Sequence, residues 1–177
     1  MSLTTVSVRR LTAQEGHARA ASLADILVDC VEGGASVGFM APLTRERAEA
    51  FWHGIAESVA SGRRALLAAA DNASGVLVGT VRIVLEQPEN QPHRADVAKM
   101  LVHRRARRRG IGALLMREAE AAAHAAGKTL LVLDTASGDA QRLYERMSWT
   151  RVGIVPFYAL WPDGRPCPTT YYYKQLD

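Results

Sequence analysis

The chain has few of the features that announce a compartment or a cofactor. No stretch of its 177 residues approaches the roughly 20 consecutive apolar side chains needed to cross a bilayer. Met1-Ser2-Leu3-Thr4 lacks the basic and apolar regions of a secretory leader. Cys30 and Cys167 are the only cysteines, too few for a disulfide framework and without metal-ligand spacing. Together these absences predict a cytoplasmic protein with no membrane partner. His17, His53, His93 and His124 form no metal-binding spacing, so no metal is expected. Aromatic residues make up only 6%, and none interrupts the basic run from His103 to Arg109. That argues against a single-stranded nucleic-acid binder, which interleaves aromatics with its cations. No repeat and no linker interrupts the chain, and its length fits one domain over residues 1–177.

What is present is a globular composition, 48% apolar with a net charge of +4, patterned as alternating strands and helices. Residues 5–11 alternate as a half-buried strand. Residues 17–31 place Leu23, Ile26 and Leu27 at helical spacing, and after the glycine-rich break at 33–38 Thr44 caps a second helix running toward residue 60. The turn residues 71–75 join strands 65–70 and 76–85 as an antiparallel hairpin. A third long strand spans 95–102, and a helix runs from Gly112 until Gly127 ends it. Residues 129–133 are a nearly continuous apolar run, expected of a central strand buried on both faces. A short helix at 139–147 and two strands, 150–157 and 169–175, complete an α/β (α+β) order.

The most informative stretch is Met100-Leu101-Val102-His103-Arg104-Arg105-Ala106-Arg107-Arg108-Arg109-Gly110-Ile111-Gly112. It reads as a strand, a basic glycine-containing turn and a helix start, where free N–H groups and the helix dipole hold an anion and arginines add charge. Arg107-x-x-Gly110-x-Gly112 resembles the coenzyme A-binding signature of the Gcn5-related N-acetyltransferase (GNAT) family. A second match follows in Ala140-x-x-x-Tyr144-x-x-x-Ser148-Trp149, although the family pattern has glycine and phenylalanine at the last two positions, and Ser137 stands where asparagine is common. Gly33-Gly34-Ala35-Ser36-Val37-Gly38-Phe39-Met40, Leu133-Asp134-Thr135, Thr150-Arg151-Val152-Gly153 and Pro162-Asp163-Gly164-Arg165 are similar to the tabtoxin-resistance branch of that family.

The resemblance implies a mixed, mainly antiparallel sheet, split between the third long strand and the 129–133 strand to admit acetyl-coenzyme A. It implies transfer of the acetyl group to an amine, with cofactor contacts from Leu101, Val102, Arg107, Arg108, Arg109, Gly110, Ile111, Gly112, Ala113 and Tyr144. Direct transfer needs a proton acceptor for the amine, a donor to the oxyanion and a proton for the departing thiolate. Asp134 ends the central strand and Asp96 starts its neighbour, so strand pairing brings both toward one cleft. Either is a candidate base, and the plain alternative for Asp134 is to cap the loop before the short helix. In the family arrangement Tyr144 faces the thioester sulfur and donates its phenolic proton, and the Val102 N–H faces the thioester oxygen. Phe39, Phe157, Tyr158 and Trp161 are candidate walls of the acceptor pocket.

A small-molecule amine, that of an amino acid, a toxin or an antibiotic-like compound, is the expected acceptor. The alternatives are a peptide or protein amine, and a non-catalytic coenzyme A sensor, which the presence of Tyr144 and both aspartates argues against. Many members of the family dimerise, so a homodimer is a further expectation.

Overall fold

The computed structural model describes residues 6–177; Thr5, the first residue of the expected strand, lies outside them. Seven strands form one sheet in the order β1-β2-β3-β4-β5-β7-β6. They are β1 (Val6–Leu11), β2 (Arg64–Asp71), β3 (Leu77–Val84), β4 (Arg94–Val102), β5 (Leu130–Thr135), β6 (Thr150–Leu160) and β7 (Pro166–Gln175). The first helical segment is two helices, α1 (Ala13–Ala18) and α2 (Ala20–Glu32), with a non-helical Arg19 between them. Thr12 and Glu15 close a capping box on α1, which starts the helix four residues before the apolar spacing becomes visible. Then come α3 (Arg45–Ala60), capped as expected by Thr44, α4 (Ile111–Ala125) and α5 (Gly138–Arg146).

Alternation along β2 sorts the core onto two faces. Leu66 joins Leu11, Leu23, Leu27 and Trp52 beneath α2 and α3, whereas Leu67 joins Val81, Leu115, Met116, Leu131 and Tyr172 beneath α4. β5 differs from the expectation of burial on both faces. Leu131 and Leu133 are buried, but Leu130 and Val132 are only half-buried, because α2 and α3 cover the sheet only as far as β4. Beyond that strand the same face lies open over Asp96, Val132 and Asp134.

Two irregularities in the ladder shape that opening. The β3–β4 register shifts between Thr80 and Arg82, and Lys99 opposite the shift has φ of +51°. The extra residue switches the faces of β4: Val97 packs toward α4, while Leu101 packs toward α2 and α3, which an uninterrupted period of two forbids. The second irregularity is the short β4–β5 pairing, parallel over only Arg94–Asp96 against Leu130–Val132. Beyond it the strands separate.

α5 ends at Arg146 with Met147 as its C-cap, and Ser148 follows in the left-handed region at φ +63°. This is the position where the motif has glycine, and the serine Cβ makes the conformation costly. We expect Ser148→Gly to stabilise the fold by about 0.5–1 kcal/mol, the strain relieved less the extra chain entropy of glycine. Urea unfolding followed by circular dichroism would read it as a higher midpoint at an unchanged slope.

Candidate active site

The opening between β4 and β5 is a cleft of about 860 Å³ running from the α4 N-terminus to the residue 33–38 loop. On its β4 side, the His103 N–H donates to Val78 O at 2.9 Å, and the register pairs Leu101 with Thr80 and Val102 with Gly79. Antiparallel alternation then assigns the Leu101 N–H and C=O to β3 and turns those of Val102 toward the split. The Val102 carbonyl is taken by Arg107 Nε at 3.2 Å, which leaves the Val102 N–H for a ligand. Leu101 lines the cleft with a buried side chain, not with free backbone.

After Val102 a 3-10 turn over Arg104–Ala106 leads to Arg108 and Gly110, both left-handed at φ +61° and +75°. The N–H groups of Ile111, Gly112 and Ala113 follow in the first turn of α4, where no intrahelical acceptor exists. With the dipole of a 15-residue helix, they form an anion cradle at the mouth of the cleft. A Cβ on Gly112 would stand 3.0 Å from Leu143 Cδ2, so glycine there lets α5 close on the start of α4. These donors fit a pyrophosphate, and the Val102 edge fits an extended amide chain behind it.

The arginines divide by task. Arg107 and Arg108 line the cleft. Arg109 does not; it bonds Asp71 on β2 at 3.3 Å. Arg104 donates its backbone N–H and Nε to Asp29 of α2, at 2.8 and 2.9 Å. Burial raises the Asp29 carboxyl, but these hydrogen bonds and the neighbouring His103 and Arg104 charges outweigh it and hold the group below the ordinary value. Asp29 thus ties the phosphate-facing turn to the helical layer. Nothing in the sequence around it signals this role, because the partner lies 75 residues away.

Opposite Val102, Asp134 at the end of β5 accepts from Thr169 Oγ1 of β7 at 2.7 Å. The cap of α5 is Ser137, whose Oγ accepts from the Ala140 N–H, so Asp134 is not a helix cap. Asp96 sits on the same face but outside the cleft wall, engaged by Gln87 Nε2 at 3.1 Å and by Arg94. Tyr144 is only 4% exposed, packed against the Trp149 and Tyr172 rings, yet it lines the cleft. Burial, then the nearby Asp134 and Tyr172, push its phenol far above the usual value, so it stays protonated.

The far end is roofed by the 33–38 loop. Ser36 Oγ donates to Leu160 O at 3.0 Å and the Ala41 N–H to Pro162 O at 3.1 Å, docking that loop on the β6–β7 hairpin. Tyr158 and Trp161 of the hairpin line the cleft. Phe157 departs from the expectation: it is 82% exposed on the edge strand, because the register shift between Val155 and Ala159 and its own φ of +54° turn it outward. Phe39 stands behind the wall, edge-on to Phe51, and approaches the cleft only through Lys99, whose Nζ lies 5.9 Å from its ring centre.

The acetyltransferase (GNAT) family model matches residues 21–149, which include β4, the arginine turn, α4, β5 and α5. The chain belongs to the acetyltransferase (GNAT) family. Among solved structures it is similar to yncA from Salmonella typhimurium with its cofactor acetyl-CoA, at 19% identity and a TM-score of 0.77 over 98% of this chain and 95% of that one. A phosphinothricin acetyltransferase from Sinorhizobium meliloti in complex with acetyl-CoA gives 18%, 0.78, 97% and 89%. A ribosomal-protein-alanine N-acetyltransferase from Brucella melitensis gives 21%, 0.78, 96% and 99%. At these identities the likeness is one of fold.

As a GNAT enzyme the chain is an N-acetyltransferase whose donor is acetyl-CoA. Among the described residues no helix is long and apolar enough to cross a membrane, and no three His, Cys, Asp or Glu side chains gather as a metal site.

Asp29→Ala should loosen the arginine turn and weaken acetyl-CoA binding about tenfold, the loss of roughly 1–2 kcal/mol expected for hydrogen bonds to a charged group. Titration calorimetry would measure it. The stabilising contribution of Asp29 is present above its ordinary carboxylate value and is lost as pH falls through the lowered folded value, so the stability gap between wild type and variant should close as the pH falls below the ordinary carboxylate range.

Proposed function

We propose that this GNAT enzyme acetylates the amine of a small molecule by direct transfer within a ternary complex. The observation that carries the reading is the roofed acceptor end. Hydrogen bonds from Ser36 and Ala41 hold the 33–38 loop on the β6–β7 hairpin, and Tyr158 and Trp161 wall the space in front of Asp134. A pocket bounded by a docked loop and aromatic walls suits a compact ligand, whereas a peptide needs a groove open at both ends.

Bound acetyl-CoA supplies a thioester carbonyl and a thiol leaving group. Asp134 is the assigned base, since one of its oxygens is oriented by Thr169 and the other is free to take a proton from the acceptor ammonium. The Val102 N–H is the donor assigned to the carbonyl oxygen as it gains charge. Tyr144, kept protonated by burial, is the proton donor to the departing sulfur. Asp96, already committed to Gln87 and Arg94, is assigned a supporting role in shaping the β4 edge. Arg107 and Arg108 with the N–H groups of Gly110–Ala113 are assigned to the pyrophosphate. A homodimer and a cytoplasmic location fit this reading without being needed for it.

Tyr144→Phe should lower kcat about 10²–10⁴-fold, the range of a lost general acid, with acetyl-CoA affinity within a few-fold of wild type. In the wild type, kcat should rise with acceptor deprotonation and show no alkaline decline up to about pH 9, because the phenol ionises far above that. Thiol release from acetyl-CoA, measured against a panel of small amines and of peptides with free N-termini, tests the assignment. Turnover confined to small amines supports it; a preference for peptides overturns it.

A further inference from the structure

Lys99 lines the cleft and has no part in the reading above, yet several elements of the fold converge on it. The β4 bulge at its own φ of +51° turns it out of the regular ladder. Gly38 in the roofing loop, at φ +87°, leaves room for it: a Cβ there would lie 3.3 Å from Lys99 Nζ. The ammonium also sits 5.9 and 5.8 Å from the ring centres of Phe39 and Phe51. Strand, loop and aromatic pair therefore converge on one cation in the cleft wall.

That cation is not neutralised by the protein. Lys99 makes no ion pair or hydrogen bond with another described side chain. The nearest charges it feels are Arg82, which opposes it, and Asp134, which favours it from beyond the 4 Å reach of an ion pair. Arg82 also lies over the Phe51 ring, 5.6 Å from its centre, and its Nε is buried without a partner among the described residues. Two cations thus share one aromatic platform with no carboxylate between them. A half-buried, unpaired positive charge is expensive to hold, and it is retained where a ligand supplies the missing anion.

We propose that Lys99 is the specificity-determining residue of the acceptor pocket and binds a carboxylate carried a few bonds from the reacting amine. The inference rests on the assignment of this cleft to acetyl transfer. With Asp134 on the ammonium side and Lys99 on the anion side, the pocket presents the complement of a zwitterion, an α-amino acid or a compound built like one. The Phe39–Phe51 pair sets the ammonium in place and excludes water from it, which strengthens its hold on an anion. Arg82 deepens the positive field from behind.

The test compares each of the common L-amino acids with its amide and its decarboxylated amine, by thiol release, in wild type, Lys99→Met and Lys99→Arg. The expected result is that the best free acid exceeds its amide at least 30-fold in kcat/KM in wild type. Lys99→Met should erase that preference through KM, while its thermal shift with coenzyme A and its rate on neutral amines stay within about threefold. Lys99→Arg should recover part of the preference. If acids and amides are equal substrates in wild type, or if Lys99→Met keeps the preference, the inference is overturned and acetyl transfer stands. If the folded, coenzyme A-binding protein releases thiol with no amine of the panel or of a wider set of small amines, the acetyl-transfer reading falls and the inference falls with it.

Discussion

The parallel pairing of β4 with β5 lasts three residues and stops, and a strand edge released in that way must satisfy its backbone groups by other means. Part of the debt is met internally, by Arg107 reaching back to the Val102 carbonyl. The rest is left as donors at one end of a cleft. Because the same divergence opens the sheet beside the N-terminus of α4, the free N–H groups of that helix and the free N–H of the strand point into one space. The proposed cofactor and acceptor sites are two ends of a single interruption in the ladder.

The charges around that interruption are divided between holding the protein and meeting ligands. Asp29 and Asp71 occupy Arg104 and Arg109, which sets the shape of the turn. Arg107 and Arg108 then remain at the cleft. On the acceptor side the division is reversed: Asp96 is occupied by Arg94 and Gln87, Asp134 is only half engaged, and Lys99 is left unpaired. A cluster of like charges is therefore a poor guide to how many of them meet a ligand, since the fold uses several simply to build the frame.

Much of the frame was legible in the chain. The alternation of 65–70 and 76–85, the cap at Thr44, the glycine pair at the start of α4 and the turn at 71–75 are local signals whose physical causes act over a few residues. The places where local reading missed are those where distant elements decide. β5 is open on one face because the helical layer ends at β4. Phe157 points outward because a bulge shifts the β6–β7 register.

From sequence alone the chain declared its order of strands and helices and the basic, glycine-containing turn at 103–112 between a strand and a helix, because spacing along one backbone determines which groups a strand end or a helix start can present; the place of Tyr144 came from the family resemblance. Only the tertiary structure decided which arginines face the cleft, that Val102 and not Leu101 offers its backbone, that Asp134 faces the cleft while Asp96 is bound aside, and that Lys99 stands beside the Phe39 and Phe51 rings with no ion pair to a described side chain. Those outcomes depend on register, bulges and partners 2 to 75 residues away, and a shift of a single residue in a ladder exchanges one face for the other.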